Sequence, residues 1–317
     1  MTTSPNDQRH VLVGAACVVL GALLWSTGGV VIKELGQPAL VVSAARSLLS
    51  AGLFLLLCGG RVAPPATGRR WFWIGALCYA WVVTGFVAAN RLTTAANTIL
   101  LQFTSPFWII LLGEWFLKEK PRRGDWAALA LGAVGIVLCL AENLVEGFSR
   151  REGVLLTPET IGDLMALSTG LTFGVCLLVM RRTNRRGVEG VSDAGDARPM
   201  LFWGNALAVA EAVAWVGARP PEGGLSAALA LTPLSVALLL WLGLGQLGGG
   251  YYFVQRGMRH LTAIQASVLT LVEPVLNPLW VALINGERPG GLTVLGGALV
   301  LSGMVVNVAA HRAPKPR

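Results

Sequence analysis

Glu273 is the side chain in this sequence most able to do chemistry where water is scarce. It lies almost at the centre of an apolar run, Thr262–Ile284, with Pro274 beside it and Pro278 one helical turn on. Proline cannot donate to the carbonyl four residues back, so a kinked or broken helix is predicted at Glu273. A carboxyl group there binds a substrate amine, carries a proton, or caps the amides freed by the break and pairs with another helix. A second prolyl break at Pro106 follows Asn97 and Gln102. Those two amides either meet polar atoms of a substrate or join helices together. Pro106, Pro274 and Pro278 are therefore candidate hinges. Arg46 also falls inside an apolar run. It either snorkels to the nearer interface or grips a carboxylate, that of a substrate or of Glu273.

Aromatic side chains accompany these groups. Trp25, Tyr79, Trp108 and Tyr252 lie beside small or polar residues and are expected to face a cavity. Trp25 is followed by Ser26, Thr27, Gly28 and Gly29, which suit a polar opening. Gln246 stands alone among glycines and is expected to face the same cavity. The string Gly243-Leu-Gly-Gln-Leu-Gly248 matches a dinucleotide fingerprint letter for letter, but that fingerprint needs a strand before it in a βαβ unit. His10, His260 and His311 all lie at run ends, no His-Glu-x-x-His pair exists, and none of the four lysines sits in a phosphate loop. Neither an enzyme, a metal site nor a cofactor is expected.

The elements that position these groups follow from composition. Of 317 residues, 54% are hydrophobic and 13% charged, and the mean hydropathy is +0.63. Soluble domains carry about 25% charged residues, so a polytopic membrane protein remains, and a nucleic-acid partner is excluded. The five cysteines lie inside apolar runs and read as packing residues. Ten runs are long enough to cross a bilayer: Val11–Ile32, Ala39–Cys58, Trp71–Ala89, Thr94–Phe116, Trp126–Leu140, Ile161–Met180, Met200–Val216, Leu234–Val254, Thr262–Ile284 and Leu292–Ala310. With both termini cytoplasmic, 18 of the 25 basic residues fall inside and 6 outside, and Arg46 lies within a run. Basic residues favour the cytoplasm, so this orientation is expected.

The chain also repeats. At an offset of 168 residues, Arg91 meets Arg259, Thr94 meets Thr262, Pro106 meets Pro274, Glu119 meets Glu287 and Pro121 meets Pro289. Trp25 precedes Lys33 by eight residues, as Phe173 precedes Arg181. Five runs per copy is an odd number, so the second copy enters from the opposite side. The fold class expected is an all-α membrane protein of ten transmembrane helices, built as two inverted five-helix repeats at 11–142 and 161–310. Inverted repeats are the usual frame of alternating-access carriers, with the site at mid-membrane.

The segment Phe86–Asn97, the run on to Pro106, and Leu-Lys-Glu-Lys-Pro at 117–121 resemble the EamA-domain half of drug/metabolite transporters. So do Leu271-Val-Glu-Pro and Asn285-Gly-Glu-Arg-Pro. Within that superfamily, Leu-Gln-Phe-Thr-Ser-Pro-Phe-Trp at 101–108 most resembles the bacterial aromatic amino acid exporters of the YddG type. The resemblance implies a ten-helix bundle in the bacterial inner membrane that exports metabolites. Lys118-Glu119 departs from the more usual Gly-Glu, at a loop turn.

The expected function is a secondary transporter that exports small amphipathic metabolites, aromatic or other apolar amino acids foremost. The partners are then a small-molecule substrate and the bilayer. The alternatives are a channel or facilitator for small polar solutes, or an exporter of a drug, nucleoside or sugar derivative.

Overall fold

The computed structural model describes residues 5–65, 68–117, 123–150, 156–188, 197–218, 224–257, 260 and 269–312. Every regular element among the described residues is helical. Eight helices are long and apolar enough to cross a membrane: Arg9–Glu34, Ala39–Leu57, Arg69–Leu92, Ala95–Gly113, Asp125–Glu142, Pro158–Met180, Arg198–Ala218 and Pro233–Gly257. Two shorter apolar helices follow, Val272–Ile284 and Gly291–Val306. Large apolar side chains such as Leu12, Leu56, Val137 and Leu283 face outward, as hydrocarbon around the bundle requires. Trp115 and Trp126 are also exposed, at the ends of their runs, where an aromatic belt belongs.

Several of these helices are interrupted, and each interruption has a local cause. Helix α1, Pro5–Ser26, gives way at Thr27 to α2, Gly28–Glu34. Ser26 Oγ donates to the Leu23 carbonyl and Thr27 Oγ1 to that of Leu24, both at 2.8 Å. Such back-bonding competes with the helical ladder and bends it. Helix α3 is Ala39–Leu57 and α4 is Arg69–Leu92. Helix α5, Ala95–Gln102, ends at Phe103–Thr104, and α6, Ser105–Leu117, begins just before Pro106. In the second half the helix is interrupted at Leu271, 168 residues after Phe103, and a new helix starts at Val272, just before Glu273-Pro274. The predicted prolyl breaks are therefore interruptions a few residues ahead of each proline, at equivalent positions. Pro278 lies within the restarted helix.

Helices α7, Arg123–Arg150, and α8, Pro158–Val188, run past their apolar spans, whereas α9, Arg198–Ala218, coincides with its own. After a short α10, Gly224–Ala228, and α11, Pro233–Leu240, the glycine-rich stretch Trp241–Gly249 is wound as a π-helix that continues into α12, Gly250–Gly257. π-Turns are rare and recur at functional sites. Helices α13, Val272–Ile284, and α14, Gly291–Arg312, complete the described chain. Glu119, Pro121, Arg259, Thr262 and Ala263 lie outside the described residues, as does much of the first part of the Thr262–Ile284 run.

Packing respects the repeat. Helix α4 lies against α8, and its counterpart α12 lies against α1. Helix α3 packs on α9, and α7 packs on α14, where Gly135 meets the Gly296 backbone closely enough to exclude any side chain. Glycines of α1 and α2 have the same use. Gly21 faces Gly250 and Val254, and Gly28 faces Gln246. All five cysteines are free.

Candidate functional site

Where the interrupted helices meet, they enclose a cavity lined by Trp25, Arg46, Val82, Val83, Phe86, Gln102, Phe173, Gln246, Leu247, Tyr251 and Glu273. About 40 Å³ is open to the centres of water molecules, room for about three of them. The lining comes from α1, α3, α4, α5, α8, the π-helix, α12 and α13, so both halves of the chain contribute. Trp25 and Phe173, each eight residues ahead of a basic residue, both face it. So do Val83 and Tyr251, which are 168 residues apart.

Arg46 is 1% exposed. It does not snorkel. Its Nη2 donates to the Val83 carbonyl at 2.5 Å and its Nη1 to Gln246 Oε1 at 3.5 Å, while Nε has no partner. The guanidinium carbon stands 6.0 Å from the centre of the Phe86 ring. A guanidinium stays charged in proteins, so the cavity holds a positive group whose Nε–H is still free to donate. Gln246 is turned toward it by the π-helix. Its Nε2 donates to the Trp25 carbonyl at 3.4 Å, and Gly28 leaves the room it occupies. The Trp25 ring meets Tyr251 edge-on at 4.7 Å, and its Nε1 has no partner.

Glu273 sits in the first turn of α13 and is 7% exposed. A carboxylate near a helix N-terminus is favoured by the helix dipole. No hydrogen bond or ion pair joins it to Arg46 among the described residues. The cavity therefore carries two groups able to bear opposite charge, walled by aromatic and aliphatic side chains.

Of the residues expected to bind substrate, Trp25, Gln102, Gln246 and Glu273 line this cavity. The other four lie elsewhere. Asn97 donates to Asp163 Oδ1 at 3.0 Å and accepts from Thr293 Oγ1 at 2.6 Å. It ties α5 to α8 and α14, because a buried amide must find partners. Tyr79 is fully buried one layer behind the cavity. Its ring packs on Tyr251 at 5.0 Å and its hydroxyl accepts from Asn205 Nδ2 at 3.3 Å. Trp108 donates to Thr104 Oγ1 at 3.2 Å, across the α5–α6 break. Tyr252 accepts from Arg256 at an exposed position, and its neighbour Tyr251 takes the cavity place. Asp163 is a second acid inside the bundle. It is fully buried, so Glu273 is not alone there.

A cluster of polar contacts ties the two halves of the chain together at the end of the bundle that carries Lys33. Lys33 Nζ lies 2.5 Å from Glu287 Oε2, and Glu287 Oε1 accepts from the Ala95 amide at 2.6 Å. Asn285 donates to Glu34 at 2.5 Å beside them. These contacts join the first half of the chain to the loop after α13.

The profile of the EamA-like transporter family matches residues 12–141 and again 160–309. The chain belongs to this family. Three curated relatives are each 26% identical. They are the transporter YwfM of Bacillus subtilis (94% of both chains), the riboflavin transporter of Rhizobium johnstonii (95% of this chain, 92% of that one) and the pseudopaline exporter CntI of Pseudomonas aeruginosa (95% and 97%). A solved crystal structure shares the fold with a TM-score of 0.60 over 97% of this chain and all of that one, at 19% identity. This EamA-like chain is thus a multi-pass membrane transporter with a small-molecule substrate. The repeated match gives each half one copy of the family unit.

Proposed function

We propose that this EamA-like protein is a secondary transporter in the bacterial inner membrane that exports amphipathic zwitterions, with aromatic and other apolar amino acids preferred. One observation carries the reading: Arg46 and Glu273 face one apolar-walled cavity without pairing. In it the guanidinium receives the α-carboxylate through its free Nε–H, and Glu273 receives the ammonium. The rings of Trp25, Phe86, Phe173 and Tyr251 enclose the side chain. Buried opposite charges left apart are costly unless something bridges them, and a zwitterion does so.

The cavity is too small to hold an amino acid, which supports a cycle in which the bundle opens to one side at a time. Matching breaks at Phe103–Thr104 and Leu271, and the paired packing of α4 with α8 and α12 with α1, support ten spans in two inverted repeats, 11–142 and 161–310. The excess of basic residues on one set of loops supports cytoplasmic termini. Cysteines placed at 119 and 287 should then react with impermeant reagents only from the cytoplasm and only from outside, respectively. Reaction of both from one side would refute the inversion.

Purified protein in liposomes, given a panel of labelled amino acids with and without a pH gradient, tests the substrate. Saturable uptake with counterflow of aromatic amino acids is expected. Non-saturating flux would indicate a channel, and transport of riboflavin or pseudopaline in place of amino acids would move the substrate class toward that of the named relatives.

A further inference from the structure

Asn277 lies one turn beyond Glu273 on α13, toward the Lys33–Glu287 end. It is completely buried, yet neither Nδ2 nor Oδ1 has a hydrogen-bond partner. The other buried asparagines each donate at least once: Asn90 to the Phe86 carbonyl, Asn97 to Asp163 and Asn205 to the Leu201 carbonyl. Asn277 instead faces Gly29, just past the α1–α2 break, with Ala95 close by. A Cβ at position 29 would collide with Oδ1, so glycine there leaves the amide its place. Ala95 belongs to an apolar cluster with Val30, the residue after Gly29, and Val281, one turn beyond Asn277.

An amide with both ends unsatisfied in such surroundings is destabilising, and an apolar side chain of the same branched shape, such as leucine, would suit the site better. Its presence needs a ligand that is there for part of the cycle. We infer that Asn277 is a second polar station for the substrate, whose amide oxygen accepts from the substrate ammonium after it leaves Glu273. The amide nitrogen is then free to meet the carboxylate that follows. One turn of helix separates the two stations, a rise of about 6 Å, comparable to the span of an amino acid head group. Opening the Lys33–Glu287 closure would draw Gly29 and Ala95 away from Asn277 and admit the head group. The inference rests on the zwitterion reading above.

The test is Asn277→Leu in the full-length protein, measured for amino acid exchange in liposomes and for melting in detergent. Exchange should fall by about tenfold or more, the loss of one buried hydrogen bond to a charged group. The Tm should rise by about 2–4 °C as an unpaired polar group is removed. Exchange within twofold of wild type would overturn the inference. So would a lower Tm, which would make Asn277 a structural contact. Wild-type protein that moves no zwitterion would overturn the substrate reading and with it the head-group assignment. A raised Tm in the Leu variant would distinguish that failure from a structural role for Asn277.

Discussion

Arg46 and Glu273 face the same cavity from α3 and α13, one from each half of the chain, and do not touch. Arg46 is held by the Val83 carbonyl and Gln246, and Glu273 stands in the first turn of its helix. A preformed ion pair would have to be broken by any substrate. Two separate charges can be satisfied together by a single molecule that carries both complements.

Glu273→Gln distinguishes the roles open to this carboxyl group. If Glu273 receives the substrate ammonium, substrate-for-substrate exchange falls by about tenfold or more, as a charge-assisted bond becomes a neutral one. That is the expected result. If it only carries a proton, exchange survives and the response to a pH gradient disappears. Wild-type exchange together with a wild-type pH response in a well-folded variant would remove Glu273 from the mechanism.

Arg46→Lys keeps the charge and loses the planar fork. Affinity for amino acids should drop by about tenfold, while an amine analogue lacking the carboxylate should bind both proteins alike. Displacement of a labelled amino acid by each compound measures this. Equal losses for both compounds would mean that Arg46 serves packing.

Local rules made parts of this site legible. Proline chemistry located both breaks to within a few residues, and isolation among glycines singled out Gln246. The repeat paired Trp25 with Phe173, which the cavity brings together. Neighbours on a helix were harder. Tyr251 and Tyr252 differ by about 100° around the axis, and a π-helix just before them shifts the phase that sequence periodicity assumes. Asn97 was out of reach for another reason. Its partner Asp163 is 66 residues away, so only the tertiary fold shows that its amide is already satisfied. Asn277 did carry a signal, its place one turn from Glu273 and beside Pro278.

The different fates of Asn97 and Gln102 give a paired prediction. Asn97→Ala removes bonds to Asp163 and Thr293 and should cost about 1–3 kcal/mol of stability, with substrate affinity within about twofold. Gln102→Ala loses a long bond of 3.4 Å to Thr169 and a cavity-lining amide. It should weaken affinity more than it lowers the melting temperature. Thermal melts and equilibrium binding on both variants decide the matter, and the reverse pattern would return Asn97 to the site.

Glu287 ties the two halves of the chain together at one end of the bundle by pairing with Lys33 and accepting from the Ala95 amide. Both partners of the pair are partly exposed, so the pair is worth at most about 1 kcal/mol. Glu287→Gln should therefore raise the open population by up to about fivefold. Amide exchange at residues 28–34 and 93–97 should rise by a similar factor, and added salt should have a smaller effect in the variant than in wild type. Unchanged protection in those segments would mean that other contacts hold this end shut.

Pro106 and Pro274 provide the test of motion. Replacing either with alanine restores a backbone donor and favours a continuous helix through the break. The break before Pro106 has a second support, since Gly170 of α8 packs against the Leu101 and Gln102 carbonyls and Thr104 Oγ1 donates to Leu101 at 2.6 Å. Pro106→Ala alone should therefore stiffen the segment without fully closing the break. Pro274→Ala acts at the N-terminal turn that presents Glu273 and should have the larger effect. In exchange assays, turnover is expected to fall by about three- to tenfold for Pro274→Ala and less for Pro106→Ala. KM should stay within about twofold in both, because the lining residues keep their places. Unchanged turnover in both variants would show that the breaks only shape the cavity. A large rise in KM without slower turnover would show that the prolines position Glu273 and Gln102 and do not act as hinges.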